Sequence, residues 1–187
     1  KRVIESALTQ QDYEKVLQLA TDGIQHDKER PGLVSNWTRY VYTAHKGLGN
    51  VAQIKELSLQ LVIGGDYEYY EDVKKLHTTE WPTTLEKLLT DLNKKSSHLY
   101  AQIIVEEGQY KRILDYCKAQ PMRIESYYPH IREHYYEDVC ALFIEYIESS
   151  AARASDRKRY QDVCRTIKNM REAGYKIEAS GLIVDLL

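Results

Sequence analysis

The residues with the most obvious chemical potential are His130, Glu133 and His134, in the segment His130-Ile131-Arg132-Glu133-His134. It spells H-x-x-E-H, a pattern in which two imidazoles on one helical face hold zinc and the glutamate serves as base. Its surroundings weigh against that chemistry. Pro129 precedes it and Tyr135-Tyr136 follows, so a turn between helices is expected there, and no motif supplies a third ligand. A chain of 187 residues is also short for such an enzyme. The histidines are read as incidental surface residues, with a metallohydrolase as the third alternative. No catalytic residue, cofactor or metal ligand is expected. Cys117, Cys140 and Cys164 lie far apart without a C-x-x-C pair, and read as buried free thiols of a reducing compartment. No glycine-rich phosphate loop is present.

Two further groups suit binding. Arg153, Arg157, Lys158, Arg159, Arg165, Lys168 and Arg171 are opposed, up to residue 171, only by Asp156 and Asp162. On a helix starting near Ser155, Lys158, Arg165 and Lys168 share one solvent face. That strip would contact phosphates or an acidic peptide; an ordinary solvated helix is the simpler account. The pairs Tyr69-Tyr70, Tyr127-Tyr128 and Tyr135-Tyr136 are the second group. Adjacent helical residues point about 100° apart, so only one of each pair can face a core squarely. Tyr69, Tyr128 and Tyr135 therefore join Lys158, Arg165 and Lys168 as the candidate interaction surface, although tyrosines packed between helices explain the pairs more simply.

The elements that must position these residues read as helices. Four prolines and nine glycines are too few for a many-turned β-sandwich, and a hydrophobic share of 43% is enough to build a core. A net charge of -2 gives no global bias toward nucleic acid or anionic membrane. No apolar run approaches the roughly 20 residues of a membrane span, and no signal peptide is seen. The centre of the pattern is Ser96–Pro121. Leu99, Ile103 and Ile104 form one stripe, and Tyr110, Ile113, Leu114 and Cys117 the next. Gly108 supplies the left-handed residue between them, and Pro121 stops the second helix.

Similar stripes run through the rest. Tyr13, Val16, Leu17, Ala20 and Ile24 form one. Leu33, Trp37, Tyr40, Val41, Ala44 and Leu48 form another, ended by Gly47 and Gly49, with Asn50 capping a helix that buries Ile54, Leu57, Leu61 and Val62. Gly64-Gly65-Asp66 predicts a stop and a cap. Trp81, Leu85, Leu88, Leu89 and Leu92 follow. After a short helix and turn near Tyr127–Pro129 come Tyr136, Val139, Cys140, Phe143, Tyr146 and Ile147. Ser155-Asp156 should cap the stripe Tyr160, Val163, Cys164, Ile167 and Met170, closed by Gly174. A last helix from about Ile177 holds Ala179, Leu182, Ile183 and Leu186.

A phrase recurs at Gln11-Asp12-Tyr13, Gly65-Asp66-Tyr67, Gly108-Gln109-Tyr110 and Arg159-Tyr160, roughly 40–50 residues apart, the range of helix-pair repeats. Its Gly-x-Tyr turn, faced by the small residues Ala20 and Ala101, is similar to that of tetratricopeptide units, without their full consensus. The expected fold is all-α, ten or eleven helices in antiparallel pairs forming a tetratricopeptide-like right-handed α-solenoid, a single domain over 1–187. Starting at Lys1 and ending on the apolar run 181–187, it is expected to be a fragment of a larger protein.

The phrases Gly65-Asp66-Tyr67-Glu68-Tyr69-Tyr70, Trp81-Pro82, Tyr127-Tyr128-Pro129-His130, Ala154-Ser155-Asp156-Arg157-Lys158-Arg159-Tyr160 and Val163-Cys164-Arg165-Thr166-Ile167-Lys168 resemble the helical region after the zinc finger in bacterial SWIM zinc-finger proteins. The resemblance implies a cytoplasmic, non-enzymatic array attached to a separate finger that binds zinc elsewhere in the full-length protein. The finger's C-x-C…C-x-H ligands are absent, so none maps onto this chain. The expected function is a scaffold for a protein or peptide partner, with nucleic-acid binding through the basic C-terminal helix as the alternative.

Overall fold

The computed structural model describes residues 2–185, and of Ser97 and Asp185 only the backbone. Among the described residues the chain is all-α, with twelve α-helices and no strand. The first six are α1 (Arg2–Thr9), α2 (Tyr13–His26), α3 (Pro31–Leu48), α4 (Val51–Ile63), α5 (Tyr70–Leu76) and α6 (Trp81–Lys95). They are followed by α7 (Ser97–Glu106), α8 (Tyr110–Ala119), α9 (Ile124–Ile131), α10 (Tyr136–Ala151), α11 (Arg157–Glu172) and α12 (Lys176–Asp185). Tyr67–Tyr69, Thr78–Glu80 and Pro121–Arg123 are single tight 3₁₀ turns.

One backbone device folds helix after helix back. A residue with positive φ ends the helix, and the next amide donates to the carbonyl five residues earlier, satisfying an acceptor the helix would leave orphaned. It occurs at Gln11 (φ 58°), Gly49 (73°), Gly65 (111°), Gly108 (61°) and Gly174 (109°). The matching bonds are Asp12 N–H to Ala7 O at 3.0 Å, Asn50 to His45 at 3.0 Å, Asp66 to Leu61 at 3.0 Å, Gln109 to Ile104 at 2.8 Å and Tyr175 to Met170 at 3.3 Å. The repeated phrase of the sequence thus has a structural cause at three of its four places. The fourth lies at Gly174-Tyr175; Arg159-Tyr160 is ordinary helix, and Tyr160 is 55% exposed.

The chain divides into two compact units, up to residue 100 and from residue 101 onward. In the first, α2 packs along α3 more extensively than any other described pair, α1 packs on α2, and α4 on α3, α5 and α6. Ile4, Ala7, Val16, Ala20, Val41 and Ala44 form the core of the α1–α3 layer. In the second, α8, α9, α10, α11 and α12 each pack on their chain neighbours, around Ile113, Leu114, Ile124, Ile131, Val139, Phe143 and Tyr175.

The α2–α3 contact rests on a reciprocal fit. The Trp37 ring lies where a Cβ on Gly23 would stand, its atoms 2.4–2.9 Å from that point, and the Tyr13 ring occupies the same place above Gly47 at 2.4–2.5 Å. Each helix offers the other a glycine notch and an aromatic ring. Gly47, expected at the helix end, is therefore inside α3; only Gly49 terminates it.

Several expectations change. There are twelve helices rather than ten or eleven. Asn50 and Asp66 occupy cap positions but make no side-chain cap bond. The Asn50 amide meets His45 Nδ1 at 3.0 Å, and the Asp66 carboxylate is taken by Arg39. Asp156 does cap, accepting from the Arg159 amide at 3.0 Å. Pro129 lies within α9, which continues to the buried Ile131. Tyr110, Tyr136 and Ile183, placed in apolar stripes, are 41%, 49% and 47% exposed. Leu186 lies outside the described residues.

Gly→Ala in a helix interior ordinarily gains about 1 kcal/mol from propensity. Here overpacking opposes it. Gly23→Ala should lower unfolding stability in urea by about 1–2 kcal/mol, because the obstructing atoms belong to the fused middle of the Trp37 ring. Gly47→Ala should lose less, since it meets the outer end of Tyr13, which can swing. A gain at position 23 would contradict the interlock.

Candidate functional site: an aromatic groove on the third helix

α3 carries three longitudinal stripes at helical spacing. Trp37, Val41 and Ala44 face the α1–α3 core. Ser35, Arg39, Tyr42 and Lys46, at i, i+4, i+7 and i+11, grip the stretch 66–72. Arg39 Nε donates to Asp66 Oδ2 at 3.0 Å, its Nη2 pairs with Asp66 Oδ1, and Ser35 Oγ donates to Asp66 Oδ2 at 3.3 Å. The Tyr42 hydroxyl donates to Asp72 Oδ2, which Lys46 Nζ also reaches at 3.2 Å. Tyr69 meets the Tyr42 ring edge-on, centroids 4.8 Å apart. The third stripe, Leu33, Asn36, Tyr40 and Thr43, is open at Leu33, Asn36 and Thr43, while Tyr40 is half-buried against the core. With Leu8 of α1, Trp37 and Arg39 it lines a groove of about 570 Å³, within the usual size range of ligand clefts.

The groove has a rigid apolar floor and one polar wall. Trp37 is fixed by its indole N–H to Asp27 Oδ2 at 2.8 Å, and its ring lies 5.9 Å from that of Tyr40. Arg39 Nη1 approaches the Asn36 Oδ1 at 3.4 Å, leaving the Asn36 amide N–H₂ at the groove. From Leu33 to Thr43 the helix rises about 15 Å, the span of a four- to five-residue extended peptide. Sequence reasoning placed Leu33, Trp37 and Tyr40 in the core stripe; Trp37 and Tyr40 do pack against the α1–α3 core, and Leu33 is 39% exposed.

Electrostatics hold the frame rather than the groove. The Tyr42 hydrogen bond, then Lys46, hold the Asp72 carboxyl below its ordinary value. Burial first, then Asp72, pushes the Tyr42 phenol up. Nearby, Lys55, Thr79 and His77 hydrogen-bond Glu80 and draw its carboxyl down to about 2.

The residues singled out from the sequence are dispersed. Lys158, Arg165 and Lys168 are all exposed, opposite the buried Val163, Thr166, Ile167 and Met170 of α11. Arg165 meets Asp162 at 2.9 Å and Lys168 meets Glu172 at 3.7 Å, so carboxylates of their own helix offset two of the three charges. Tyr128 packs edge-on against Phe143 at 5.6 Å, and Tyr69 and Tyr135 are half-buried. His130 is the penultimate residue of α9, whereas His134 lies in the turn beyond, stacked on Tyr110 with centroids 4.0 Å apart. They do not share a helical face. Among the described residues no three His, Cys, Asp or Glu side chains converge as a metal cluster. Burial pushes the Cys117 thiol up to about 12; Cys140 is half-buried, and Cys164, expected in a buried stripe, is exposed because its position falls off the α11 core face.

Asp72 has a folded-state pKa below its unfolded one, so its contribution is complete above the ordinary value of 3.8 and is lost as pH falls through the lowered one. Asp72→Asn should cost about 1–2 kcal/mol at neutral pH, with a gap from the unmodified chain that closes as pH drops below 3.8. Urea melts across that range test it; a gap constant down to acid unfolding would show that the Tyr42–Asp72–Lys46 cluster is not what holds α3. In comparisons with known proteins, no family model, no curated protein and no solved structure matches this chain.

Proposed function

We propose that this chain is a non-catalytic helical-repeat scaffold that docks an extended apolar segment of a partner protein in the α3 groove. The observation that carries the reading is the groove along Leu33, Asn36, Tyr40 and Thr43 on a helix whose flanking faces are already committed. A surface helix ordinarily shows one apolar stripe. Here a second one, walled by Asn36, Arg39 and Thr43, has room for a ligand whose side chains fill the floor while its backbone meets the polar wall.

On this reading the chain is a tetratricopeptide-like α-solenoid. Packing between chain neighbours and the repeated positive-φ turns support a succession of helix pairs, each burying the stripe of the next. The resemblance to the helical region of SWIM zinc-finger proteins supports a cytoplasmic setting and attachment to a finger that would carry its own zinc. No helix of the described residues is long and apolar enough to cross a membrane. Nucleic-acid binding along α11 is the weaker reading, since acidic partners interrupt its basic strip.

Peptide display against the folded chain should yield short apolar ligands. Leu33 is 39% exposed, so Leu33→Asp should leave folding intact and weaken the selected peptides by about tenfold or more. In a Trp81→Phe background, Trp37 is the sole tryptophan, and its emission should shift on binding. Selection of no peptide, or equal affinity for Leu33→Asp, would remove the groove as the docking site.

A further inference from the structure

In the second unit two grooves join through Tyr146, Ser150 and Arg153. One, of about 320 Å³, runs between α10 and α11 past Arg159 and Thr166. The other, of about 380 Å³, continues over Pro121 and Met122. Arg153 lines both grooves and Arg159 the first, and both guanidinium groups are held by backbone. Arg153 Nε donates to the Ser149 carbonyl at 2.8 Å, and Arg159 Nη1 donates to the Arg153 carbonyl at 3.2 Å. An arginine fork has five N–H donors, so these bonds orient each group and leave donors for a ligand. Orientation in advance removes much of the entropy cost of binding.

The surrounding charges select the kind of anion. Asp156 lies 3.5 Å from Arg159, Asp162 pairs with Arg165 and Glu172 with Lys168. Carboxylates at this spacing repel a long polyanion laid along α11, so a nucleic-acid strand is disfavoured. Asp162 lines the first groove and Asp156 lies against Arg159, so net charge alone does not set a phosphate above a carboxylate there. What a phosphate ester adds is acceptor oxygens, three against the two of a carboxylate, to meet the donors of two guanidinium groups lining one groove. The second groove then supplies a different contact. Met122 is 62% exposed beside Pro121, an apolar shelf with no core role.

We propose that the joined groove is a phosphopeptide site: Arg153 and Arg159 take the phosphate of a phosphoserine or phosphothreonine, and the Pro121–Met122 shelf takes an apolar side chain next to it. The site is separate from the α3 groove and stands or falls independently of it. The mode is that of charged-motif recognition by arginine clusters, with selectivity divided between the anion and its apolar neighbour.

The test uses labelled degenerate nonapeptide pools with a central phosphoserine or a central serine, and a mixed-sequence single-stranded oligonucleotide, followed by fluorescence polarisation. The phosphoserine pool should bind about tenfold tighter than the serine pool, and inorganic phosphate should compete. Arg153→Gln and Arg159→Gln should each weaken it about fivefold or more, at unchanged thermal midpoint. Fixing leucine on one side of the phosphoserine should tighten binding, and Met122→Asp should abolish that gain. Leu33→Asp and Lys158→Gln should leave affinity unchanged. Equal affinity for the two peptide pools would overturn the proposal. So would an oligonucleotide that binds more tightly than the phosphoserine pool, or phosphate-dependent binding that survives the double arginine substitution.

Discussion

A backbone amide reaching back five residues to a helix carbonyl is the bond on which the rest of the molecule turns. Each time it forms, one residue must adopt positive φ and the helix stops with its last acceptors satisfied; at Gln11, Gly49, Gly65 and Gly174 the chain then packs beside the helix it has left. An amphipathic helix returned in this way lies beside a neighbour with a stripe of its own. The apolar faces then close on each other without a sheet and without long connections. Four of the five turns use glycine; at the fifth, Gln11 accepts the left-handed region. A strain of about 1 kcal/mol there is borne by the packing of α1 on α2.

Packing within that framework is specific where rings meet backbone. The Trp37–Gly23 and Tyr13–Gly47 contacts set the approach of α2 and α3, and the indole bond to Asp27 fixes the ring that forms the groove floor. One residue thus serves both the core and the surface, which is how a scaffold can present a rigid site on a helix face. The acidic residues of the stretch 66–72 play the complementary part. By engaging Arg39, Tyr42 and Lys46 they immobilise the face of α3 opposite the α2 contact, so the groove between is presented on a helix held from two sides.

Much of this was legible in residue order, for identifiable reasons. The stripes Val16–Ala20, Leu85–Leu92, Ile113–Cys117 and Val139–Ile147 repeat at helical spacing, and burial followed. Gly108 announced its turn, because a left-handed residue between two stripes has few alternatives. The cap at Asp156 was readable since its nearby cation, Arg159, approaches Oδ2 and leaves Oδ1 to the Arg159 amide. Asp66 and Asn50 stand in equally good cap positions, yet Arg39 and His45 claim their side chains. Those claimants are distant or on the preceding turn, and local pattern carries no information about them. The groove was missed for a related reason: Leu33 has the same character and spacing as core residues, and Tyr40, which does pack on the core, borders the groove as well.

The order of residues alone determined which segments are helical, which side of most of them is apolar, and where the chain must reverse, because those properties follow from periodicity, propensity and the conformational freedom of single residues. Tertiary structure decided what each charge and ring does. It spent the Asp66 carboxylate on Arg39, cancelled Arg165 and Lys168 with their own helix's acids, and separated His130 from His134 at a helix end. It also brought Arg153 and Arg159 to one groove although each belongs, in sequence, to an undifferentiated basic run. The physical reason is that burial depends on the residue itself, whereas pairing depends on which other residue arrives first.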